Sequence, residues 1–341
     1  MNPRQQIIAL LRGQVACPVL STLGQLGWFE RMGAEPFRRE DFSPPPDPAA
    51  FKSVMSYLGA LGLIEPPTGA PTFVATEIGR KVFARYGAFC ILNSYESYMR
   101  KLQTLLVPDG SARPTVDRLR NVIGSGALHF AKFFRPALEM IKSQDMEVLI
   151  DIGCGDGRFL LTALRAHPHA RVVGVDLSEI AVRETVENLR ARAPRTHATG
   201  VVSDGIDVAG WASRSGELRG RRSLIGLWFL VHEISGGRCD RVIEFFRQLH
   251  RHCPGAELLL GEIVRLPEQT LALNHELSVM PELTLLHDLS GQGLLGWHEW
   301  NTLVREIPYT VLQERRFDPV ITADEETQPS SFVWYLVPRE A

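Results

Sequence analysis

"EVLIDIGCGDGRF", residues 147–159, decides how the rest of the chain is read. Its apolar run enters Asp151 and Ile152 and stops at a turn, which predicts a strand covered on both faces. "GRFLLTALRAHP" then takes up helical spacing. Gly153, Gly155 and Gly157 in the turn allow a tight bend and a ligand approach with no Cβ in the way. The same grammar repeats downstream. "ARVVGVDLS", "HATGVVSDG", "RSLIGLWFLVH" and "AELLLGEIV" read as strands, and "EIAVRETVENLRARAP" and "GRCDRVIEFFRQLHRHC" as helices. Apolar strands alternating with amphipathic helices predict an α/β fold with a mostly parallel sheet. "YTVLQERRFD" and "SSFVWYLVP" close it as an antiparallel C-terminal hairpin, making seven strands.

The loop chemistry narrows the ligand. Asp176 and Leu177 end the second strand, with Asp176 placed 19 positions past Gly157. A carboxylate there accepts hydrogen bonds from ribose hydroxyls. Nicotinamide-type sites use G-x-G-x-x-G and a helix start open to pyrophosphate. Here the spacing is G-x-G-x-G, with Asp151 just before it and Asp156 inside it. Two carboxylates repel a diphosphate but suit an ammonium or a sulfonium, which points to S-adenosylmethionine. On these motifs residues 147–340 resemble the Rossmann-like core of class I methyltransferases. The resemblance implies that Asp151, Gly153 and Gly155 flank the methionine end, that Asp176 holds the ribose, and that Asp204, beside Gly205 in "VVSDG", faces the adenine.

Upstream, "REDFSPPPDPAA" at 39–50 marks an exposed connection, because three consecutive prolines forbid helix. A helix, a second helix ending in "LGLIE" and the strand–bend–helix of "PTFVATEIGRKVF" form a winged-helix pattern. Only Lys52 faces outward on its presumed recognition helix, too little for phosphate neutralisation, so the expectation is a homodimerisation region rather than a DNA-sensing regulator. Three regions follow: 1–87 winged-helix-like, 88–145 a helical linker or lid, and 146–341 the catalytic domain. Within the lid, Gly124, Ser125 and Gly126 are expected to interrupt a helix. Arg118, Asn121, Ser125 and His129 beside that break are candidate substrate contacts, Arg118 for a carboxylate.

The remaining chemistry lies in "FLVHEISGG", 229–237, and "MPELTLLHDLSGQG", 280–293. Two families fit. In small-molecule O-methyltransferases a histidine after the fourth strand deprotonates a phenol, and His232 is similar, although "HEI" departs from their "HDW"-like pattern. The metal-dependent C-methyltransferases of α-keto acids, of the phenylpyruvate and 2-ketoarginine type, resemble the chain at His232–Glu233, at His287–Asp288 and at the G-S-G break. That second resemblance implies an iron or zinc ion held by His232, Glu233 and His287, with an α-keto acid chelated as its enolate. It is the reading carried forward, with the O-methyltransferase as the alternative. Both histidine neighbours must then point into one site, which a strand-end loop permits. His250 and His252 read as helix-end cations, His298 as a helix start, and His275 as an outside candidate.

Bulk composition agrees with an ordinary globular enzyme: 45% hydrophobic, 22% charged, net charge −2. Such a balance provides no basic field for nucleic acid or an anionic membrane. The N-terminal "MNPRQQIIALLRGQ" reads as an amphipathic helix, and no apolar run is taken to approach the ~20 residues of a membrane span. Five cysteines without a C-x-x-C pair imply free thiols and a cytoplasmic setting.

Overall fold

The computed structural model describes residues 2–65, 72–107, 112–141, 145–216, 218, 220–274, 278–322 and 326–339, with the side chains of 129–131 left aside. The chain divides into two compact units, Met1–Leu128 and His129–Ala341.

The first unit is helical. Its opening helix, Pro3–Gln25, is capped by Asn2, whose side chain accepts from Gln5 N. By length and composition this helix is apolar enough to cross a bilayer, contrary to the expectation above. Arg12 and Gln14 interrupt the run without lowering its average much. Core helices and leader segments pass the same test. The helix Pro48–Ala60 is followed by a two-residue antiparallel ladder of β1 (Ile64–Glu65) and β2 (Val74–Ala75). Stacked aromatics fill the centre, among them Phe29 on Phe83 at 4.5 Å and Trp28 on Phe42 at 4.3 Å.

The expected break at Gly124–Gly126 is absent. One helix, Arg118–His129, runs through it. Gly124 serves packing instead: a Cβ on it would lie 2.8 Å from both Cys90 Cβ and Gly87 O, and one on Gly87 would lie 2.5 Å from Gly124 O. Two helix backbones meet where no side chain fits between them, so glycine is kept despite its poor helix propensity.

The second unit is a Rossmann-like α/β core. Its strands are β3 (Val148–Ile152), β4 (Arg171–Asp176), β5 (Ala198–Val202), β6 (Ser223–Trp228), β7 (Glu257–Ile263), β8 (Tyr309–Ile321) and β9 (Thr327–Pro338). They form one seven-stranded sheet in the order β5-β4-β3-β6-β7-β9-β8. β3 to β7 are parallel, and β9 runs antiparallel between β7 and β8. Ile150, Ile225 and Leu258 enter one core layer, while Leu149, Leu224 and Leu259 enter the other. Burial on both faces is why these strands read as continuous apolar strings. Strand order reverses between β3 and β6, and such a switch point leaves a crevice at the carboxyl ends of the strands. The glycine loop leaves β3 there, and the segment bearing His232 leaves β6.

Candidate active site

On the β3 side the loop makes three left-handed turns, with φ of +77° at Gly153, +52° at Gly155 and +76° at Gly157. Non-glycine residues rarely adopt these angles. Gly153 N and Cys154 N donate to Val175 O, which fastens the loop to β4. Asp176 fastens it again, accepting from Gly155 N at 3.1 Å and from Ser178 N at 2.8 Å. Leu177 is exposed, and Asp204 is an exposed turn residue accepting from Ile206 N. Gly205 O accepts from Trp211 Nε1, and a Cβ on Gly205 would press on Ile152. Asp156 behaves differently from expectation: its carboxylate pairs with Arg158 at 2.9 Å and is spent within its own loop. Asp151 is 3% exposed, and its Oδ1 has no hydrogen-bond partner. Burial first, then the negative Asp176 and Asp156, push its carboxyl well above the usual range. A buried acid lacking a donor fits a cationic ligand such as S-adenosylmethionine.

Across the crevice β6 ends at Trp228, earlier than the sequence suggests. Phe229 turns the corner at φ +52°, and a short helix, Val231–Ser235, begins. Glu262, wholly buried near the end of β7, organises this turn. Its Oε1 accepts from Val231 N at 2.8 Å and from His232 N at 3.3 Å. Its Oε2 accepts from His232 Nδ1 at 2.9 Å and from Ile263 N at 3.2 Å. A carboxylate can only accept, so Nδ1 carries the imidazole proton and proton uptake falls to Nε2.

His287 lies on the helix Met280–Ser290 and donates from Nδ1 to Leu283 O at 2.6 Å, one turn back. Its ring meets that of His232 with centroids 4.9 Å apart at 74°. Burial, then the neighbouring imidazole, push His287 down to about 3, so it is neutral. Hydrogen bonds tie the short helix to the segment after the long one: Gly293 N donates to His232 O, Ser235 Oγ donates to Gly293 O at 2.5 Å, and Gln292 Nε2 donates to Glu233 Oε1 at 3.0 Å. Arg265 and Asp288 form a bidentate pair at 2.7 and 2.9 Å.

The structure brings the two histidines together and gives Glu233 a different neighbour. Adjacent residues on a helix diverge by about 100°; His232 turns toward Glu262 while Glu233 turns toward Gln292. Among the described residues no group of three His, Cys, Asp or Glu side chains is arranged to hold a metal ion. Arg118, Asn121 and Ser125 lie on the first unit's helix, with Asn121 Nδ2 donating to Ser94 Oγ. His129 ends that helix and its side chain is not described, and His275 lies outside the described residues.

Comparison with known proteins gives the same fold. Residues 149–210 match a family described as a methyltransferase domain. An O-methyltransferase family protein from Burkholderia thailandensis superimposes with a TM-score of 0.61 at 14% identity, covering 100% of this chain and 99% of its own. The second unit has the fold of a class I, S-adenosylmethionine-dependent methyltransferase core. The O-demethylpuromycin-O-methyltransferase of Streptomyces alboniger is 23% identical over 320 residues, 85% of this chain and 79% of its own length. A protein-lysine N-methyltransferase of Saccharolobus islandicus (strain REY15A) is 30% identical over 77 residues, 23% of this chain and 48% of that enzyme. The likeness to the Streptomyces enzyme overturns the α-keto acid C-methyltransferase reading and its metal-chelated enolate: over most of both chains it leads to an O-methyltransferase, and no three candidate ligands are grouped among the described residues.

Glu262 was missed by sequence reasoning. Its signal was present, since "AELLLGEIV" sets one carboxylate at the end of an otherwise apolar strand, where a buried charge needs a partner.

Proposed function

We propose that this methyltransferase is a small-molecule O-methyltransferase in which His232 deprotonates an acceptor hydroxyl. The supporting observation is the buried contact of His232 Nδ1 with Glu262, which fixes the tautomer and leaves Nε2 as the basic nitrogen. S-adenosylmethionine supplies an electrophilic methyl group on a sulfonium. Asp151 and the glycine loop face its methionine end, Asp176 and Leu177 its ribose, and Asp204 and Gly205 its adenine. His232 takes the hydroxyl proton as the oxygen attacks, and Glu262 stabilises the resulting imidazolium as a positioning residue. His287, neutral and beside His232, walls the acceptor side. The likeness to the Streptomyces enzyme over most of both chains supports the same bond type.

We also propose that the first unit is a winged-helix-like homodimerisation region. Its opening helix leaves Ile7, Leu10, Leu11 and Val15 more than half exposed, a face suited to a second copy.

The test is a methyl-transfer assay against small phenols with wild type and His232→Ala. Loss of turnover by about 10²- to 10⁴-fold with donor binding retained is the expected outcome. A His232→Ala variant that methylates at the wild-type rate defeats the proposal.

A further inference from the structure

The side chain whose state the transfer step leaves undecided is Asp151. It sits in the middle strand of the parallel sheet, next to the loop that receives the donor. Its register partners on both sides are glycines, Gly174 on β4 and Gly226 on β6, so neither directly opposite residue offers it a side-chain donor. One carboxyl oxygen has no hydrogen-bond partner, and the side chain is almost fully enclosed.

The groups that face it worsen the position of a charge. Asp176 at the end of β4 and Asp156 in the glycine loop are both acidic, and Asp156 is already satisfied by Arg158. Cys154, the titratable thiol of the same loop, is itself pushed up by burial, then by Asp176 and by Asp151, so it stays neutral. A buried carboxylate beside two other acids, with one oxygen left without a hydrogen bond, is protonated in preference to being charged.

We infer that Asp151 carries a proton in the ligand-free enzyme and surrenders it when the cationic donor arrives, so that donor capture releases a proton to solvent. The O–H bond of Asp151 breaks, the proton leaves to buffer, and the carboxylate becomes the counter-ion of the bound cation. The inference rests on the donor assignment made above. Donor affinity therefore rises with pH below the ligand-free titration point, by up to about tenfold per pH unit for one linked proton. This acid limb is separate from protonation of His232, which stops transfer rather than donor binding.

Isothermal titration of the full chain with S-adenosylmethionine, in phosphate and in Tris at the same pH, measures the linkage. We expect the apparent enthalpies to differ between buffers by about one proton's worth of buffer ionisation, with affinity falling on acidification. Asp151→Asn should bind with the same enthalpy in both buffers and with an affinity insensitive to pH. Identical wild-type enthalpies with pH-independent affinity overturn the linkage while leaving the donor site standing. Absence of S-adenosylmethionine binding in either buffer overturns the donor assignment and the inference with it. Should Asp151→Asn fail to fold, the wild-type buffer pair and pH series decide the matter unaided.

Discussion

Glu262→Gln is the most informative single change. The amide keeps the shape and one accepting oxygen, which can stay on Val231 N and His232 N. Its NH2 end then faces His232 Nδ1 and Ile263 N, which the native carboxylate serves as an acceptor. Ile263 N–H loses its acceptor, and His232 can meet the amide only by accepting at Nδ1, which moves its proton to Nε2. The base is thereby held in the wrong tautomer. Hydrogen bonds to a charged group are each worth about 1.5–3 kcal/mol, so losing one and inverting another should cost roughly 2–4 kcal/mol of stability. Inverting the tautomer removes general-base catalysis, about 10²–10⁴ in kcat. Steady-state kinetics with donor affinity by calorimetry and melting by differential scanning separate these effects. Folded Glu262→Gln protein with kcat within about threefold of wild type refutes the assignment of Glu262 as the group that sets His232's tautomer.

Other changes probe independent parts of the structure. Gly157→Ala forces φ +76° on a residue with a Cβ and places that atom 3.0 Å from Thr185 Cγ2, so donor affinity should fall with a loss of about 1–2 kcal/mol in chemical denaturation. Gly124→Val inserts a side chain where even Cβ lies 2.8 Å from Gly87 O, and should destabilise the first unit by at least about 1–3 kcal/mol, read as a lower melting temperature. His287 is held neutral, its folded value about 3 against 6.5, so its contribution is intact above pH 6.5 and is lost as pH falls through about 3. Denaturation midpoints of His287→Phe should therefore decline less steeply over that window than those of wild type. Arg265→Met breaks a half-exposed pair with Asp288 and should cost no more than about 1 kcal/mol, measured by urea denaturation.

The sequence by itself determined the α/β core, because burial on both sheet faces prints uninterrupted apolar strings and the turn between β3 and its helix demands glycine. It also placed Asp151 and Asp176 at the carboxyl ends of two neighbouring strands, since their places are set by short-range strand and loop geometry. Asp156 was legible as an acid but not as Arg158's partner. The helix through Gly124–Gly126 was not legible, because Gly124 answers to a neighbouring helix that lies more than thirty residues earlier in the chain. The histidine site divides the same way. His232 and His287 stood out as candidates in the sequence, but what each can do depends on what meets its Nδ1 atom, and Glu262 reaches His232 only through sheet pairing of β6 with β7. The sequence carries β6 on to His232, whereas it ends four residues earlier at Trp228, so His232 and Glu233 fall on a helix and diverge; that boundary is fixed by the corner at Phe229 and the helix behind it, which tertiary packing alone decides.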